Sequence, residues 1–109
     1  MPGLRLSVFA ARALSVAALL GACGPTGPST VTPDLVARAR KHDAAANEAL
    51  LSAGRELFVT RCHDCHELPD PTAHAAASWP ALVARMGKLA RLDSVQERDL
   101  LRYLTAASE

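Results

Sequence analysis

Cys62-His63-Asp64-Cys65-His66 places two thiols and two imidazoles in five consecutive residues, and no other stretch limits the fold so tightly. The whole chain has 109 residues, room for one small domain, since independent domains mostly run to about 100–150 residues. Aromatic residues make up only 4% of it: Phe9, Phe58, Trp79 and Tyr103. A core that poor in large rings usually needs a staple, whether disulfides, a metal or a bound group. Three cysteines are an odd number, which argues against a pure disulfide framework.

C-x-x-C-H is the attachment signature of a c-type haem. Two residues between the cysteines set the sulfurs at the spacing of the two haem vinyl groups, so Cys62 and Cys65 can each form a thioether. The histidine that follows at once, His66, brings an imidazole under the iron as proximal ligand. One such motif implies one covalent haem c. A zinc site would draw on His63, His66 or His74 as well, but a second paired motif is missing. A thioredoxin-like pair would want a βαβ setting, and no strand pattern lies nearby. A simple disulfide would leave His66 unexplained. Because the haem supplies apolar mass that the polypeptide lacks, the chain without both thioether cysteines is expected to be largely unfolded.

The N-terminus reads as an address. Arg5 and Arg12 supply positive charge, and residues 13–20 form a short run of Ala, Leu and Val broken by Ser15. No apolar run reaches the roughly 18–20 residues that a membrane span needs, and the segment has the anatomy of a secretory signal. It ends in Leu20-Gly21-Ala22-Cys23, which resembles the lipobox of bacterial lipoproteins. The resemblance implies cleavage before Cys23 by signal peptidase II and acylation of that cysteine. Residues 1–22 are then a signal peptide, and two acyl chains suffice for stable membrane attachment. Gly24, where an Asp would signal inner-membrane retention, points toward the outer membrane. Residues 24–32 are Gly, Pro, Ser and Thr with one Val, so 23–33 reads as a flexible linker and 34–109 as the domain. Without Arg5 and Arg12, ten basic residues face 11 acidic ones, a balance that excludes nucleic acid as the main partner.

Gly54, Phe58 and Cys62 recur at four-residue intervals, giving Gly-x-x-x-Phe-x-x-x-Cys-x-x-Cys-His along one helical stripe. This resembles the N-terminal helix of the small class I cytochromes c, and the likeness extends over about residues 48–107. In that family the glycine lets a C-terminal helix cross closely, and the aromatic packs against the haem and that helix. Leu100, Tyr103, Leu104 and Ala107 repeat as one face of such a helix. Asp93 or Ser94 can cap it, with Gln96 or Glu97 completing a capping box. The expected fold is all-α, a cytochrome c-like helical domain wrapped around one haem, with helices over 33–46, 48–61, 79–90 and 94–106.

The sixth iron ligand has four candidates: Met86, His74, His42 and His63. His63 lies inside the attachment loop on the wrong side, and His42 sits among charged residues on a solvated face. Trp79, Leu82, Val83 and Met86 share one helical stripe. Such a methionine is ordinarily core filler, but in so small a domain a haem is itself the core. The run Trp-x-x-x-Val-x-x-Met is similar to that of short bacterial cytochromes c, which implies Met86 as distal ligand; it comes only 20 residues after His66, so it sits on or near a helix rather than in a long loop. Pro69 or Pro71 could offer its carbonyl to the proximal imidazole. Arg85, Lys88 and Arg91 read as a solvated face or as a basic rim for an acidic redox partner or the haem propionates. Trp79 could donate its indole N–H to a propionate. The sequence therefore points to an electron carrier at the periplasmic face of a bacterial membrane, serving redox protein partners and not itself an enzyme. A gas-binding or sensory haem domain with an open or weakly held sixth position is the alternative.

Overall fold

The computed structural model describes residues 28–63 and 67–109, which form four α-helices and, among the described residues, no strand. The all-α expectation is met. Helix α1, Pro33–Arg40, begins where the Thr32 hydroxyl accepts the Leu35 N–H at 3.2 Å, and Pro33 needs no partner at its first position. It stops well before residue 46. Past its end the Asp43 carboxylate takes the Ala45 N–H at 3.0 Å, and the Asn47 amide oxygen takes the Leu50 N–H at 3.0 Å. Such short polar side chains offer the backbone an alternative to continuing the helix, and Asn47 thereby caps α2, Glu48–Leu57.

The same rod of chain continues beyond α2 in a wider form, a π-helical turn over Phe58–Cys62. The Thr60 hydroxyl donates to the Glu56 carbonyl at 2.7 Å, a back-bond that bends helices. Single π turns inside helices recur at functional sites. Two 3₁₀ turns, Pro71–Ala73 and Ala76–Ser78, lead to α3, Trp79–Leu89, with Pro80 in its first turn. Helix α4, Ser94–Ala107, carries the expected capping box: Asp93 accepts the Gln96 N–H at 2.8 Å while Gln96 accepts the Asp93 N–H at 3.0 Å. Between α3 and α4, Leu92 N–H bonds to the Gly87 carbonyl at 2.9 Å and Arg91 N–H to Lys88 at 3.3 Å. This is a Schellman ending, yet the left-handed position is filled by Arg91 at φ 57° where glycine is usual.

Among the described residues, the most extensively packed helix pair is α2 with α4. A Cβ on Gly54 would clash with the Asp99 carbonyl oxygen and come within 2.8 Å of the Tyr103 Cβ, so the crossing needs that glycine. Phe58 and Tyr103 pack with ring centroids 6.2 Å apart, tilted by 44°. Leu100, Tyr103, Leu104 and Ala107 are all buried, as their spacing requires. On the far side of α4, Arg102 reaches Asp43 at 2.6 Å and Asp99 at 2.7 Å. The hydrogen bond from Arg102, with that from the Ala45 N–H, holds the Asp43 carboxyl below the usual carboxylate range. No helix among the described residues is long and apolar enough to cross a membrane.

The polar N-terminal stretch does not all hang free of the domain. Tyr103 donates its hydroxyl to the Ser29 carbonyl at 2.7 Å, and Arg55 donates to the same carbonyl at 3.2 Å and to that of Pro28 at 3.3 Å. Val31 packs half-buried against the core. Residues 28, 29 and 31, which the sequence assigns to the linker, thus touch the domain.

Candidate functional site

The π turn delivers Cys62 into the interior, where it is 7% exposed and joins the same apolar cluster as Phe58 and Trp79. His63 points outward and is exposed, as expected. Asp64, Cys65 and His66 lie outside the described residues, as do the signal segment 1–22 and Cys23.

Helix α3 forms the opposite side. Trp79 and Val83 are buried on its inner stripe, and Leu82 and Met86, on the adjoining stripe, are half-buried against the same cluster together with Leu68. Met86 is thus on the inward side of its helix but not sealed over. The indole of Trp79 is fully buried, and its Nε1–H has no hydrogen-bond partner among the described residues. An unpaired buried donor of this kind costs about 1–3 kcal/mol, so the site calls for an acceptor at that atom. The residues present fit a haem in this respect: a donor for a propionate carboxylate, a thioether and half-covered aliphatic side chains for the macrocycle, and a buried first cysteine.

His74 is exposed and stands edge-on to Trp79, with centroids 5.1 Å apart and planes at 77°. It is therefore near the same wall, on its outer side. His42 falls beyond the end of α1 and pairs with the Glu109 carboxylate, at the opposite end of α4 from its Asp93 cap. Pro71 is buried at the start of its 3₁₀ turn, with its carbonyl accepting the His74 N–H at 3.4 Å, while Pro69 is half-buried in the preceding loop. Thr72 donates to the Asp70 carboxylate through its N–H at 2.9 Å and its hydroxyl at 2.7 Å, and these bonds lower the Asp70 pKa.

Arg61, which the sequence did not single out, and Glu97, which it offered only as a capping-box residue, hold the walls together. Arg61, next to Cys62, donates to the Ala90 carbonyl at 2.6 Å and so ties the π turn to the end of the helix bearing Met86. A cation there also suits the negative end of a helix dipole. Glu97 lies across Gly87, where an added Cβ would meet its carboxyl carbon at 2.9 Å, which lets α4 approach α3. Arg85, Lys88 and Arg91 are all exposed, and Leu89 beside them is 75% exposed. No family model matches the chain, and no curated protein or solved structure resembles it closely enough to count as a relative.

Proposed function

We propose that this protein is a lipid-anchored, cytochrome c-like carrier of single electrons. Cys62 and Cys65 would hold one haem by thioethers, His66 and Met86 would ligate its iron, and Cys23 would hold the protein to the periplasmic face of a bacterial membrane. The observation that carries this reading is the pairing, on one helix, of a half-buried Met86 with a Trp79 whose buried N–H lacks an acceptor. The haem, when bound, supplies an iron that changes oxidation state by one electron and two propionate carboxylates. Trp79 would hold one carboxylate by its indole N–H. Met86 offers a neutral, soft sulfur that favours the reduced metal and raises its potential relative to a second imidazole. Phe58, Leu82 and Val83 exclude water from that neighbourhood, and Arg61 keeps the two walls in register. Arg85, Lys88 and Arg91 give the exposed side of α3 a positive field for an acidic redox partner.

The test is a pair of optical spectra, oxidised and reduced, of the exported protein and of Met86→Ala. The native protein is expected to show a six-coordinate haem with the weak far-red band of iron–thioether ligation and no immediate response to carbon monoxide. Met86→Ala should lose the band, bind carbon monoxide at once and shift in potential. A spectrum and potential unchanged by the substitution would remove Met86 from the iron, and an immediate carbon monoxide response in the native protein would favour gas binding instead.

A further inference from the structure

The Gly/Pro/Ser/Thr stretch ahead of α1 has the composition of a slack tether, but its last residues are clasped. Three side-chain donations from the α2–α4 crossing, one from Tyr103 and two from Arg55, converge on the successive carbonyls of Pro28 and Ser29. Tyr103 is itself fully buried against Phe58, so its hydroxyl is held in place by the core. Two residues on, Val31 tucks half-buried against the core. These contacts have a geometric consequence for an anchored protein. From Cys23 to Pro28 is five peptide steps, whereas from Cys23 to Pro33 is ten; fully extended, these reach about 17 Å and about 35 Å.

We propose that Arg55 and Tyr103 fasten residues 28–31 as a strap that halves the tether and turns the α2–α4 crossing toward the lipid surface. This rests on the reading of Cys23 as the lipid-bearing residue. A domain of this size is about 30 Å across. With the exit point at the crossing, a leash of about 17 Å is too short to pass around the domain to its far side. The strap therefore selects orientation as well as distance, and a redox partner meets the domain on the surfaces away from Pro28. Opening the strap doubles the reach and frees the domain to turn.

The strap and the anchor are tested separately. Haem-loaded protein carrying Cys23→Ser, secreted from an ordinary signal, is digested with thermolysin, which cuts ahead of Val31. The clasped chain is expected to resist, and Arg55→Gln/Tyr103→Phe, which keeps the aromatic ring in the core, to be cut there at least about tenfold faster, the factor that roughly one lost hydrogen bond supplies. Equal rates at matched global stability overturn the strap. The lipidated protein is then placed on a supported bilayer of phosphatidylcholine and phosphatidylethanolamine and profiled by neutron reflectometry. A protein layer beginning within about 17 Å of the headgroups, which broadens outward in the double variant, is the expected result. A native layer as diffuse as the variant's overturns the orientation, and a mature mass without lipid at Cys23 overturns the membrane half of the proposal while the digestion still decides the strap.

Discussion

Where α2 crosses α4, every close approach has an explanation inside the polypeptide. Gly54 makes room, Phe58 and Tyr103 interlock, and the Tyr103 hydroxyl finds the Ser29 carbonyl. Around α3 the arrangement differs. Leu82 and Met86 are only half-covered, Leu68 likewise, and the buried Trp79 N–H finds no partner among the described residues. The first region is finished by helix packing alone. The second has half-covered apolar side chains and an unmatched donor, and it shares one apolar cluster with Cys62. The contrast fits the proposed haem: one half of the core is jigsaw packing, and the other is the half that the proposal gives to a prosthetic group.

The sharpest way to break this contrast is to delete the proposed attachment of the haem. Cys62→Ala/Cys65→Ala should abolish the cooperative thermal transition seen by circular dichroism; a cooperative melt that survives would show that the α2–α4 half stands alone. Next in size is Gly54→Val. Its side chain would collide with the Asp99 carbonyl and the Tyr103 Cβ, and overpacking against backbone should cost about 3 kcal/mol in denaturant unfolding of the loaded protein. A cost below about 1 kcal/mol would mean the helices do not cross there. The link between the halves gives smaller effects. Asp93→Ala removes both accepted bonds of the α4 cap and should cost about 1 kcal/mol. Arg91→Gly relieves a left-handed backbone at φ 57° and should gain about 0.5–1 kcal/mol, since only glycine adopts that conformation without penalty. The smallest effect concerns acid. Asp43 has its pKa lowered in the fold, chiefly by Arg102, so its contribution is present above the unfolded carboxylate value near 4 and fades as pH falls through the folded value. Asp43→Asn should flatten that acid limb in a pH series of melting temperatures, lying slightly below the native protein at neutral pH and converging with it in acid.

Much of the α2–α4 half was legible because its signals are periodic. Gly54 and Phe58 stand four apart, the α4 stripe repeats at helical spacing, and the Asp93/Gln96 box is a local motif. The early end of α1 was missed because its charged residues keep a helical rhythm through Ala46, while Asp43 and Asn47 divert the backbone by side-chain bonds. The π turn has no marker such as Pro or Gly and arises from how the end of α2 meets its neighbours. Arg55 and Tyr103 bind carbonyls, which every residue carries, so sequence could not name Ser29 as their target. The stripe places Met86 on the inward side of α3, but that its face is half-covered depends on how α3 packs on α4. Arg91 was equally hidden, since a left-handed arginine carries no label.

The central claim is that a haem is bonded through sulfur to residues 62 and 65. Intact-mass spectrometry of the exported, denatured protein tests it directly. The account predicts a chain heavier by one haem, retained through acid–acetone extraction, with both sulfurs inert to thiol reagents. A mass equal to the polypeptide and its lipid alone, with Cys62 and Cys65 open to alkylation, would contradict it.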